Sequence, residues 1–371
     1  MRILNLIPSL SGGGAERQLG YLVLELVRNG HEVHIAYSRE GPQKPQIPGV
    51  ILHNLKSRSN YDPQLIVQLT RIIRSVKPDI IHSWILQMDI LGGILSRINR
   101  IPWVLREPAS SKAYPPSWKN RLRVMIGSYA GAIVSNSQEG DHYWKRQLPN
   151  SRRFIVANAL QVEEINKVEA AYPTDVRNSE KPVVLFAGRL VSDSSTNKNL
   201  RNFLESFVYA KKEKKIVGII CGAGPLRQEL TMLTKELELE GDIHFLGHLP
   251  VIEVWALMKK AAVFVSLSAH EGCPNAVMEA MVCGCPLVLS DIPAHREILD
   301  EQSALFVDPA NIRQTAETIV QVLSNKEEAR KRAWFAKQKT FNWLILNMAN
   351  NYERIYQTLI FGNFRSLSKN S

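Results

Sequence analysis

Residues 266–289 read SLSAHEGCPNAVMEAMVCGCPLVL, and this stretch decides the fold of the second half of the chain. An apolar run at residues 263–267 leads into it and predicts a buried strand. The chain then turns sharply at residues 272–274, and residues 286–290 predict the next strand. With a helix between the turn and the second strand, the unit is strand, turn, helix, strand.

The helix of this unit is predicted to start at Asn275, since asparagine is a frequent helix N-cap. The apolar residues that follow at helical spacing are Val277, Met278, Met281 and Val282. Gly284 and then Pro286 are expected to end the helix, because glycine accepts the conformation of a helix C-terminus and proline cannot continue a helix.

Two glutamates frame the start of this helix, Glu271 in the turn and Glu279 in the second helical turn, with seven residues between them. The free backbone N–H groups of a helix N-terminus are a ready binding site for phosphate. A nucleotide-sugar, with a phosphate centre and a sugar at each end, would suit this arrangement. The alternative interpretation is that Glu271 only ends a strand and that Glu279 is a solvated helix residue.

Residues 271–281, followed by the Cys-Gly-Cys-Pro sequence at residues 283–286, resemble the Glu-x7-Glu signature of the retaining glycosyltransferases of family 4. The resemblance implies a bacterial enzyme of polysaccharide or lipid-linked glycan synthesis with the GT-B fold, in which two Rossmann-like domains face each other across a cleft. It implies that Glu271 holds hydroxyls of the donor sugar and that Glu279 holds the ribose. The backbone N–H groups expected to hold the diphosphate lie in the segment Gly272, Cys273, Pro274 and Asn275.

Composition is ordinary for a soluble globular protein, with 45% hydrophobic and 22% charged residues, and the length of 371 residues favours two domains. No apolar run approaches the ~20 residues of a membrane span, and the N-terminus predicts a first strand rather than a signal peptide. We therefore expect a cytoplasmic protein. Its four cysteines contain no Cys-x-x-Cys pair, which predicts reduced thiols and no zinc site.

Strands and helices alternate in both halves of the chain. A strand at residues 2–7, a glycine-rich loop, a helix at residues 15–29 and a strand at residues 33–37 open the first half as a βαβ unit. The pattern predicts an N-terminal acceptor-binding Rossmann-like domain at residues 1–165, a linker at residues 166–182 and a C-terminal nucleotide-sugar-binding Rossmann-like domain at residues 183–340.

The C-terminal stretch is predicted to be helical, first over residues 312–337 and then over residues 343–360. The resemblance implies that residues 341–371 return to the N-terminal domain. The side chains expected to make that contact are Trp343, Leu346, Met348 and Tyr352.

A glycine-rich loop, Gly12-Gly13-Gly14-Ala15-Glu16, lies at the first strand-to-helix turn. Glycine permits positive φ angles and lets a ligand approach backbone N–H groups. The loop resembles the Gly-Gly-x-Glu sequence of family 4, which implies that Gly13 and Gly14 face the donor. Tight packing of the turn is the alternative explanation.

Two basic residues follow the first strand of the second half, Arg189 in a Gly-Arg-Leu sequence and Lys198 further on. Fixed positive charges near the end of a strand are what a diphosphate leaving group requires, since negative charge builds on it as the glycosidic bond breaks. The resemblance gives an arginine and a lysine this catalytic role. The nine-residue spacing exceeds the family pattern, so residues 192–196 are read as an insertion and a surface lysine is the alternative for Lys198.

Several further residues of the predicted site are assigned less sharply. Residues 222–225 and 245–250 resemble segments that line the nucleotide-base pocket, although simple turns would also explain them. His270 is either a donor contact or part of a strand edge, and His82 is expected to be a structural histidine. Glu107 stands next to the position where many family members have a histidine, which makes it an acceptor-side candidate.

No Asp-x-Asp sequence occurs in the chain, whereas glycosyltransferases of the other main fold use that pair to hold a divalent metal. We therefore expect no metal and no other cofactor, with the nucleotide-sugar acting as a substrate. Between Arg97 and Arg153 there are eleven basic and three acidic residues. Residues 115–126 and 144–146 mix basic and aromatic side chains, which is typical either of a segment on an anionic membrane surface or of an ordinary amphipathic helix. No motif for nucleic-acid binding accompanies the charge.

The leading hypothesis is a retaining glycosyltransferase that moves a sugar from a nucleotide-sugar to a hydroxyl of a glycan or lipid-linked glycan in cell-surface polysaccharide synthesis. A nucleotide-sugar epimerase of the same fold is the alternative within the enzymes. A catalytically silent, membrane-associated partner of a polysaccharide-assembly complex is the alternative outside them. The donor sugar, its base and the acceptor do not follow from the sequence.

Overall fold

The computed structural model describes residues 1–10, 13–40, 47–57, 59, 62–107, 116–172, 181–193 and 196–362. Five sequence predictions fall partly outside these residues: Gly12 of the glycine-rich loop, Pro115 of the basic segment, residues 173–180 of the predicted linker, residues 194–195 of the predicted insertion and residues 363–371 of the segment predicted to return to the N-terminal domain.

Strands and helices alternate along the described chain, as the sequence predicts. The strands are β1 Arg2–Leu6, β2 Ser9–Leu10, β3 Glu32–Tyr37, β4 Arg39–Glu40, β5 Val50–Asn54, β6 Ile80–Trp84, β7 Trp103–Glu107, β8 Ala132–Ser135, β9 Arg153–Ile155, β10 Val183–Ala187, β11 Ser192–Asp193, β12 Thr196–Asn197, β13 Val217–Cys221, β14 Ile243–Gly247, β15 Val263–Ser266, β16 Leu287–Ser290 and β17 Leu305–Val307. The helices are α1 Gly14–Arg28, α2 Gln64–Val76, α3 Leu86–Asn99, α4 Trp118–Gly127, α5 Gln138–Gln147, α6 Val162–Lys167, α7 Leu200–Glu213, α8 Arg227–Glu236, α9 Val251–Lys260, α10 Asn275–Val282, α11 Pro293–Arg296, α12 Ile312–Ser324, α13 Lys326–Gln338 and α14 Ile345–Phe361, with a 3₁₀ turn at Lys339–Trp343.

The chain forms two compact units, one of Met1–Ala159 together with the chain from Ile345 onward, the other of Leu160–Leu344. The first unit has a parallel sheet in the order β5-β3-β1-β6-β7-β8-β9. The second has a parallel sheet in the order β14-β13-β10-β15-β16-β17. Both are Rossmann-like α/β units, since helices connect successive parallel strands.

Buried apolar side chains on both faces of each sheet explain why the strands read as continuous hydrophobic runs. In the first unit, α1 buries Leu19, Leu22, Val23 and Leu26 against this core, as its helical spacing predicts. The sequence analysis did not predict strand β5. This strand lies at the sheet edge and has no fully buried residue, so it leaves no continuous apolar run.

The chain leaves the first unit and enters the second before residue 166, where the predicted linker at residues 166–182 begins. Helix α6 belongs to the second unit, where Val162 and Ile165 are buried in a core cluster. The passage therefore lies at Ala159–Leu160, because these apolar side chains pack with the second unit rather than staying in solvent. The return lies at Leu344–Ile345.

Helix α14 packs onto the first unit, as the resemblance implies, and two of the four predicted contact residues are correct. Met348 and Tyr352 are buried in the core of the first unit. Leu346 is 50% exposed, and Trp343 packs on the second unit instead. The single helix predicted over residues 312–337 is divided at Asn325, whose φ and ψ of −109° and 65° interrupt the helix. Within the described chain, no helix combines the length and hydrophobicity needed to cross a bilayer.

Candidate active site

The predicted donor-side residues of the second unit follow the carboxyl ends of its central strands. Arg189 comes two residues after β10, and Glu271 lies in the loop that joins β15 to α10. Strands β10 and β15 are direct neighbours in the parallel sheet, so both loops leave the same edge. Ligands of open α/β sheets bind at this edge.

Glu271 lies in an ionic contact with Lys198 that the sequence alone does not show. The Lys198 ammonium and the Ser268 hydroxyl both donate to Oε1 of Glu271, the latter at 2.7 Å. The side chains of Glu271 and Lys198 are 13% and 16% exposed. Burial alone would raise the pKa of Glu271, but the charge of Lys198 and these two hydrogen bonds lower it below its ordinary value. The carboxylate is therefore ionised at neutral pH.

The predicted insertion between Arg189 and Lys198 is what brings Lys198 to this contact. Strands β11 and β12 pair as an antiparallel hairpin. At the end of the hairpin, the Ala269 N–H donates to the Asn197 C=O at 2.9 Å, and Asn197 forms a β-bridge with His270. The nine-residue spacing is thus compatible with a lysine at the site, because residues 192–193 pair with residues 196–197 just before Lys198.

A buried chain of hydrogen bonds fixes the loop behind Glu271. The Ser290 hydroxyl donates to the Ser268 C=O at 2.6 Å, and His295 Nδ1 lies 2.8 Å from the Ser290 C=O, which makes Nδ1 the protonated nitrogen. Burial lowers the pKa of His295, so this histidine is neutral. Sequence reasoning missed all three residues. The available signal was the presence of serines in and beside otherwise apolar strands.

Removing the Ser268 hydroxyl is expected to weaken donor binding. In Ser268→Ala, Glu271 keeps Lys198 but loses one hydrogen bond to its charged oxygen, so we expect the KM for the donor to rise about tenfold, with a smaller change in kcat. Steady-state kinetics would measure both constants. Ser206→Ala is the matched control, because Ser206 is equally buried and its hydroxyl has no hydrogen-bond partner among the described residues. Equal effects of the two changes would contradict the assignment.

Glu279 lies in the second turn of α10, as predicted, and is only 7% exposed. The Trp255 indole N–H donates to Glu279 Oε2 at 3.1 Å, a contact that the sequence did not predict. The indole orients the carboxylate from α9. The role of Glu279 in holding a ribose stays a prediction.

The N-terminus of α10 differs in one respect from the prediction. Pro274, not Asn275, is the cap residue, and the Asn275 N–H donates to the Cys273 C=O at 3.0 Å. The N–H of Asn275 is therefore not free for phosphate. Within the described part of the chain, the N–H groups of Ala276 and Val277 have no backbone partner, so the first turn of α10 still offers donors. Gly284, with a φ of 68°, ends the helix region as predicted.

The loop that carries Arg189 is held by a tight backbone contact. Gly222 has a φ of 148°, and a Cβ atom there would lie 1.8 Å from the Gly188 carbonyl oxygen, so only glycine fits. The Gly188 N–H donates to the Cys221 C=O at 2.9 Å. The Arg189 side chain itself is exposed. Residues 222–225 and 245–250, the two segments predicted to line the base pocket, are neighbours. The Gly222 N–H donates a hydrogen bond to the Gly247 C=O at 2.7 Å.

In the first unit, Gly13 and Gly14 stand at the start of α1. Gly13 is the cap residue with a φ of −68°, an angle that does not require glycine. Its N–H donates to the Glu16 carboxylate. Both glycines are exposed. Their predicted contact with the donor stays a prediction.

Glu107 is not an acceptor-side residue, which corrects the sequence prediction. It lies inside β7 and is fully buried, with Oε2 accepting from Arg123 at 2.8 Å and from the Trp144 indole at 3.0 Å. Arg123 also donates to the fully buried Asp89 at 2.8 Å. Glu107 has no surface to offer a substrate. Strand β7 includes Glu107 as its last residue, which places the carboxylate inside the unit.

Arg106 and His82 attach helix α14 to the first unit. Arg106 is 1% exposed and donates to the Tyr352 hydroxyl and, at 2.6 Å, to the Asn158 side chain. His82 Nδ1 lies 2.7 Å from the Tyr356 hydroxyl, and burial lowers the pKa of His82, which keeps it neutral. The prediction of a structural histidine is confirmed.

Loss of the Tyr352 hydroxyl is expected to destabilise the first unit. Tyr352→Phe leaves the buried Arg106 guanidinium with one acceptor fewer, so we expect the free energy of unfolding to fall by about 2 kcal/mol. Urea unfolding followed by tryptophan fluorescence would measure it. Tyr129→Phe is the control, because Tyr129 is 57% exposed. No difference between the two variants would contradict the assigned contact.

Comparisons with known proteins cover nearly the whole chain. The family model described as "Glycosyltransferase Family 4" matches residues 12–164, and the model described as "Glycosyl transferases group 1" matches residues 171–339. The N-acetylgalactosamine-N,N'-diacetylbacillosaminyl-diphospho-undecaprenol 4-alpha-N-acetylgalactosaminyltransferase of Campylobacter jejuni is 24% identical over 357 residues, which cover 90% of this chain and 93% of that protein. The O-antigen chain mannosyltransferase RfbU of Salmonella typhimurium is 29% identical over 164 residues, 42% of this chain and 45% of that protein.

Solved structures share the fold over nearly the whole chain. HepE of Anabaena, solved in complex with UDP, superposes with a TM-score of 0.81 at 19% identity, and the match covers 97% of this chain and 100% of that one. The same protein has been solved with UDP-glucose. Sucrose-phosphate synthase of Thermosynechococcus elongatus superposes with a TM-score of 0.81 at 17% identity over 96% of this chain and 98% of that chain.

Proposed function

Because this chain belongs to the family 4 glycosyltransferases and has the GT-B fold, we propose that it moves a sugar from a nucleotide-sugar to a hydroxyl of a glycan or lipid-linked glycan acceptor. The reaction would retain the configuration of the donor sugar and need no metal. Its cellular setting would be cell-surface polysaccharide synthesis, in the cytoplasm or peripherally on the cytoplasmic face of the membrane. Two relatives whose names specify O-antigen or undecaprenol-linked acceptors support this proposal.

The observation that carries the proposal is the ionised Glu271 held by Lys198 beside the N-terminus of α10. A carboxylate can accept hydrogen bonds from hydroxyls of the donor sugar. An ammonium has three N–H bonds, so Lys198 can contact Glu271 and a phosphate oxygen together. Together with the N–H groups of the first turn of α10, Glu271 and Lys198 would give the site an acceptor for sugar hydroxyls and donors for a diphosphate.

The proposed step breaks the bond between the anomeric carbon of the sugar and the oxygen of the diphosphate. The acceptor oxygen forms the new bond on the same face of the sugar, and its proton passes to the departing phosphate oxygen. Negative charge grows on the diphosphate as the bond breaks, and Arg189 and Lys198 would stabilise it. Glu271 orients the sugar and Glu279 the ribose, so neither acts as a covalent nucleophile.

Metal independence follows from this assignment of charges. Arg189 and Lys198 would supply the positive charge that a divalent ion supplies in other glycosyltransferases. Transfer is therefore expected to continue unchanged in excess EDTA. A loss of activity in EDTA that added Mg²⁺ or Mn²⁺ restores would contradict this part of the proposal.

The test begins with a thermal-shift screen against UDP-, GDP- and ADP-sugars, since a ligand that binds the folded state raises the melting temperature. A donor that raises the melting temperature is then incubated with the protein and undecaprenol-linked glycan acceptors. NMR of the product determines the anomeric configuration of the transferred sugar. Retained configuration supports the proposal, and inversion contradicts its mechanism. Free altered sugar or nucleotide formed from donor alone would favour an epimerase. No shift with any nucleotide-sugar would favour a catalytically silent partner.

A lipid-linked acceptor would bring the enzyme to a membrane, and the predicted partner surface at residues 115–126 and 144–146 needs two changes. Trp144 and Arg123 are fully buried, so neither can contact lipid. Lys145 and Arg146 remain exposed, as do Trp118 and Arg121. We propose that peripheral association with an anionic membrane involves the exposed residues of α4 and not the buried ones.

A further inference from the structure

Lys198 is followed by a residue in an unusual backbone conformation. Asn199 has a φ of 54° and a ψ of 39°, which lie in the left-handed region. Among residues with a side chain, asparagine is one of the few that enter this region readily. The conformation turns the chain from the end of β12 into helix α7, and Lys198 is the single residue between β12 and this turn. The direction of the Lys198 backbone therefore depends on Asn199.

The Asn199 side chain does not make the contact that is common for asparagine at a helix start. A capping asparagine usually accepts a hydrogen bond from a backbone N–H of the first helical turn. Asn199 is the cap residue of α7, yet its side chain makes no such hydrogen bond. Its Nδ2 instead donates to the Pro309 C=O at 2.8 Å, in the loop that follows β17. The side chain thus links the residue after Lys198 to a neighbouring loop.

The loop that receives Asn199 is itself restrained by hydrogen bonds. A second amide, Nδ2 of Asn202, donates to the same Pro309 oxygen at 2.7 Å. On the side of α12, the Asp308 N–H donates to the Gln314 side chain at 2.9 Å. Asn199 is therefore attached to a loop that two helices hold in place.

The residue before Lys198 is restrained as well. The Asn197 C=O accepts from the Ala269 N–H at 2.9 Å, and the Asn197 side-chain oxygen accepts from the Asn199 N–H at 3.0 Å. Lys198 thus lies between one residue that is bonded to the loop of Glu271 and another that is bonded to the loop after β17. The ammonium reaches Glu271 from this short, restrained segment.

We propose that Asn199 is a positioning residue for Lys198, because its left-handed backbone and its amide hold the lysine where the ammonium meets Glu271 and the leaving diphosphate. A lysine on a flexible segment would keep its charge. It would not be preorganised, however, when negative charge grows on the diphosphate. The inference rests on the proposed function, since it assigns a residue that orients the lysine of that reaction.

Two substitutions separate the backbone conformation of Asn199 from its amide. Asn199→Gly keeps access to the left-handed region and loses the amide, so we expect kcat to fall roughly tenfold. Asn199→Ala loses both, so we expect kcat to fall roughly 50-fold. The donor KM should change by less than about threefold in each variant. In a Lys198→Ala background, both substitutions should change kcat by less than about twofold, because the lysine through which they act is absent.

Glu238→Gly is the matched control for these substitutions. Glu238 also has a φ of 54°, is exposed and belongs to the same unit. It lies in the turn before β14, at the opposite edge of the sheet from the loop of Glu271. Its replacement by glycine changes the same kind of backbone position, so kcat and donor KM are expected to equal those of the wild type.

Titration of Glu271 by NMR tests the inference without any substrate. Lys198 lowers the pKa of Glu271, so a lysine that contacts the carboxylate less often leaves that pKa higher. With ¹³C-labelled glutamate, the Glu271 signal is identified by its absence from Glu271→Gln. We expect its pKa to rise in the order wild type, Asn199→Gly, Asn199→Ala, Lys198→Ala, and to keep the wild-type value in Glu238→Gly.

The outcomes distinguish this inference from its alternatives. Equal kinetic losses with and without Lys198 would overturn it, because Asn199 would then support only the fold. Asn199→Gly decides the matter if Asn199→Ala does not fold. Thermal shift with nucleotide-sugars keeps the two proposals apart. A normal response with an unchanged Glu271 pKa in the Asn199 variants would defeat this inference alone, whereas a raised pKa in a protein that responds to no nucleotide-sugar would defeat the proposed function alone.

Discussion

Replacement of Lys198 by alanine is expected to lower kcat at neutral pH by roughly 10³-fold, the size of effect seen when a preorganised charge or donor is removed from a developing anion. A second effect should accompany it. In the wild type, Lys198 lowers the pKa of Glu271 against the opposing effect of burial. Activity that needs the carboxylate then persists through neutral pH and falls only when the pH drops below that lowered pKa. Without Lys198, burial remains and the pKa rises, so the acid limb of the kcat/KM profile moves to higher pH.

Lys198→Arg is the control for this prediction, because arginine keeps the charge beside Glu271 while changing the geometry of the donors. Its acid limb should stay close to that of the wild type even where kcat falls. The pH dependence of kcat/KM for both variants would be measured with saturating acceptor. An unchanged acid limb in Lys198→Ala would show that the contact with Glu271 does not control the ionisation of this carboxylate during turnover.

Replacement of Arg189 by alanine is expected to lower kcat by roughly 10²-fold or more, with a smaller change in donor KM. The side chain is exposed, so its removal should leave the melting temperature unaltered. The loss would arise because a positive charge no longer meets the diphosphate as the glycosidic bond breaks. Single-turnover kinetics would assign the loss to the chemical step.

Arg330→Ala provides the comparison for Arg189, since Arg330 is an exposed arginine on α13 of the same unit. This control should retain wild-type kcat and donor KM. A normal single-turnover rate in Arg189→Ala would remove the role assigned to that residue and leave Lys198 and the N-terminus of α10 to stabilise the leaving group.

The parallel sheets could be predicted from the sequence because buried strands leave continuous apolar runs. Strand β16 starts at Leu287, one residue after the start of the strand predicted at residues 286–290, and β1 ends at Leu6, one residue before the end predicted at residues 2–7. Edge strand β5 and the break at Asn325 gave no such signal. The spacing of apolar residues shows which side chains of a helix or strand are buried. It gives no signal for an edge strand without fully buried residues, and none for a break between two consecutive helices.

The two glutamates of the site could be predicted from the sequence, whereas the side chains that contact them could not. The spacing of Glu271 and Glu279 on one turn and helix is local, so the sequence contains it. The contacts of Glu271 with Lys198 and of Glu279 with Trp255 join residues far apart in the chain. They depend on the packing of one element against another, which no local pattern encodes.

Glu107 and Arg123 show the converse error. Glu107 was an acceptor-side candidate, and the basic helix that contains Arg123 was read either as a membrane-surface segment or as an ordinary amphipathic helix, whereas the structure pairs the two residues inside the first unit. A helical period cannot say which face is buried when both faces carry apolar and basic side chains. Asp89 and Glu107 explain why Arg123 faces inward, because two buried carboxylates require a buried cation.

The central claim is that a diphosphate binds at the N-terminus of α10 beside Lys198 and Arg189. The most direct test compares, by isothermal titration calorimetry, the affinity of the protein for a nucleoside with its affinity for the corresponding nucleoside diphosphate. The base identified in the thermal-shift screen would be used in both forms. The diphosphate is expected to bind the wild type at least 100-fold more tightly than the nucleoside, with most of that difference lost in Lys198→Ala/Arg189→Ala, at roughly tenfold for each charge-assisted contact. Equal affinities for the two ligands, or a preference that survives both substitutions, would contradict the account.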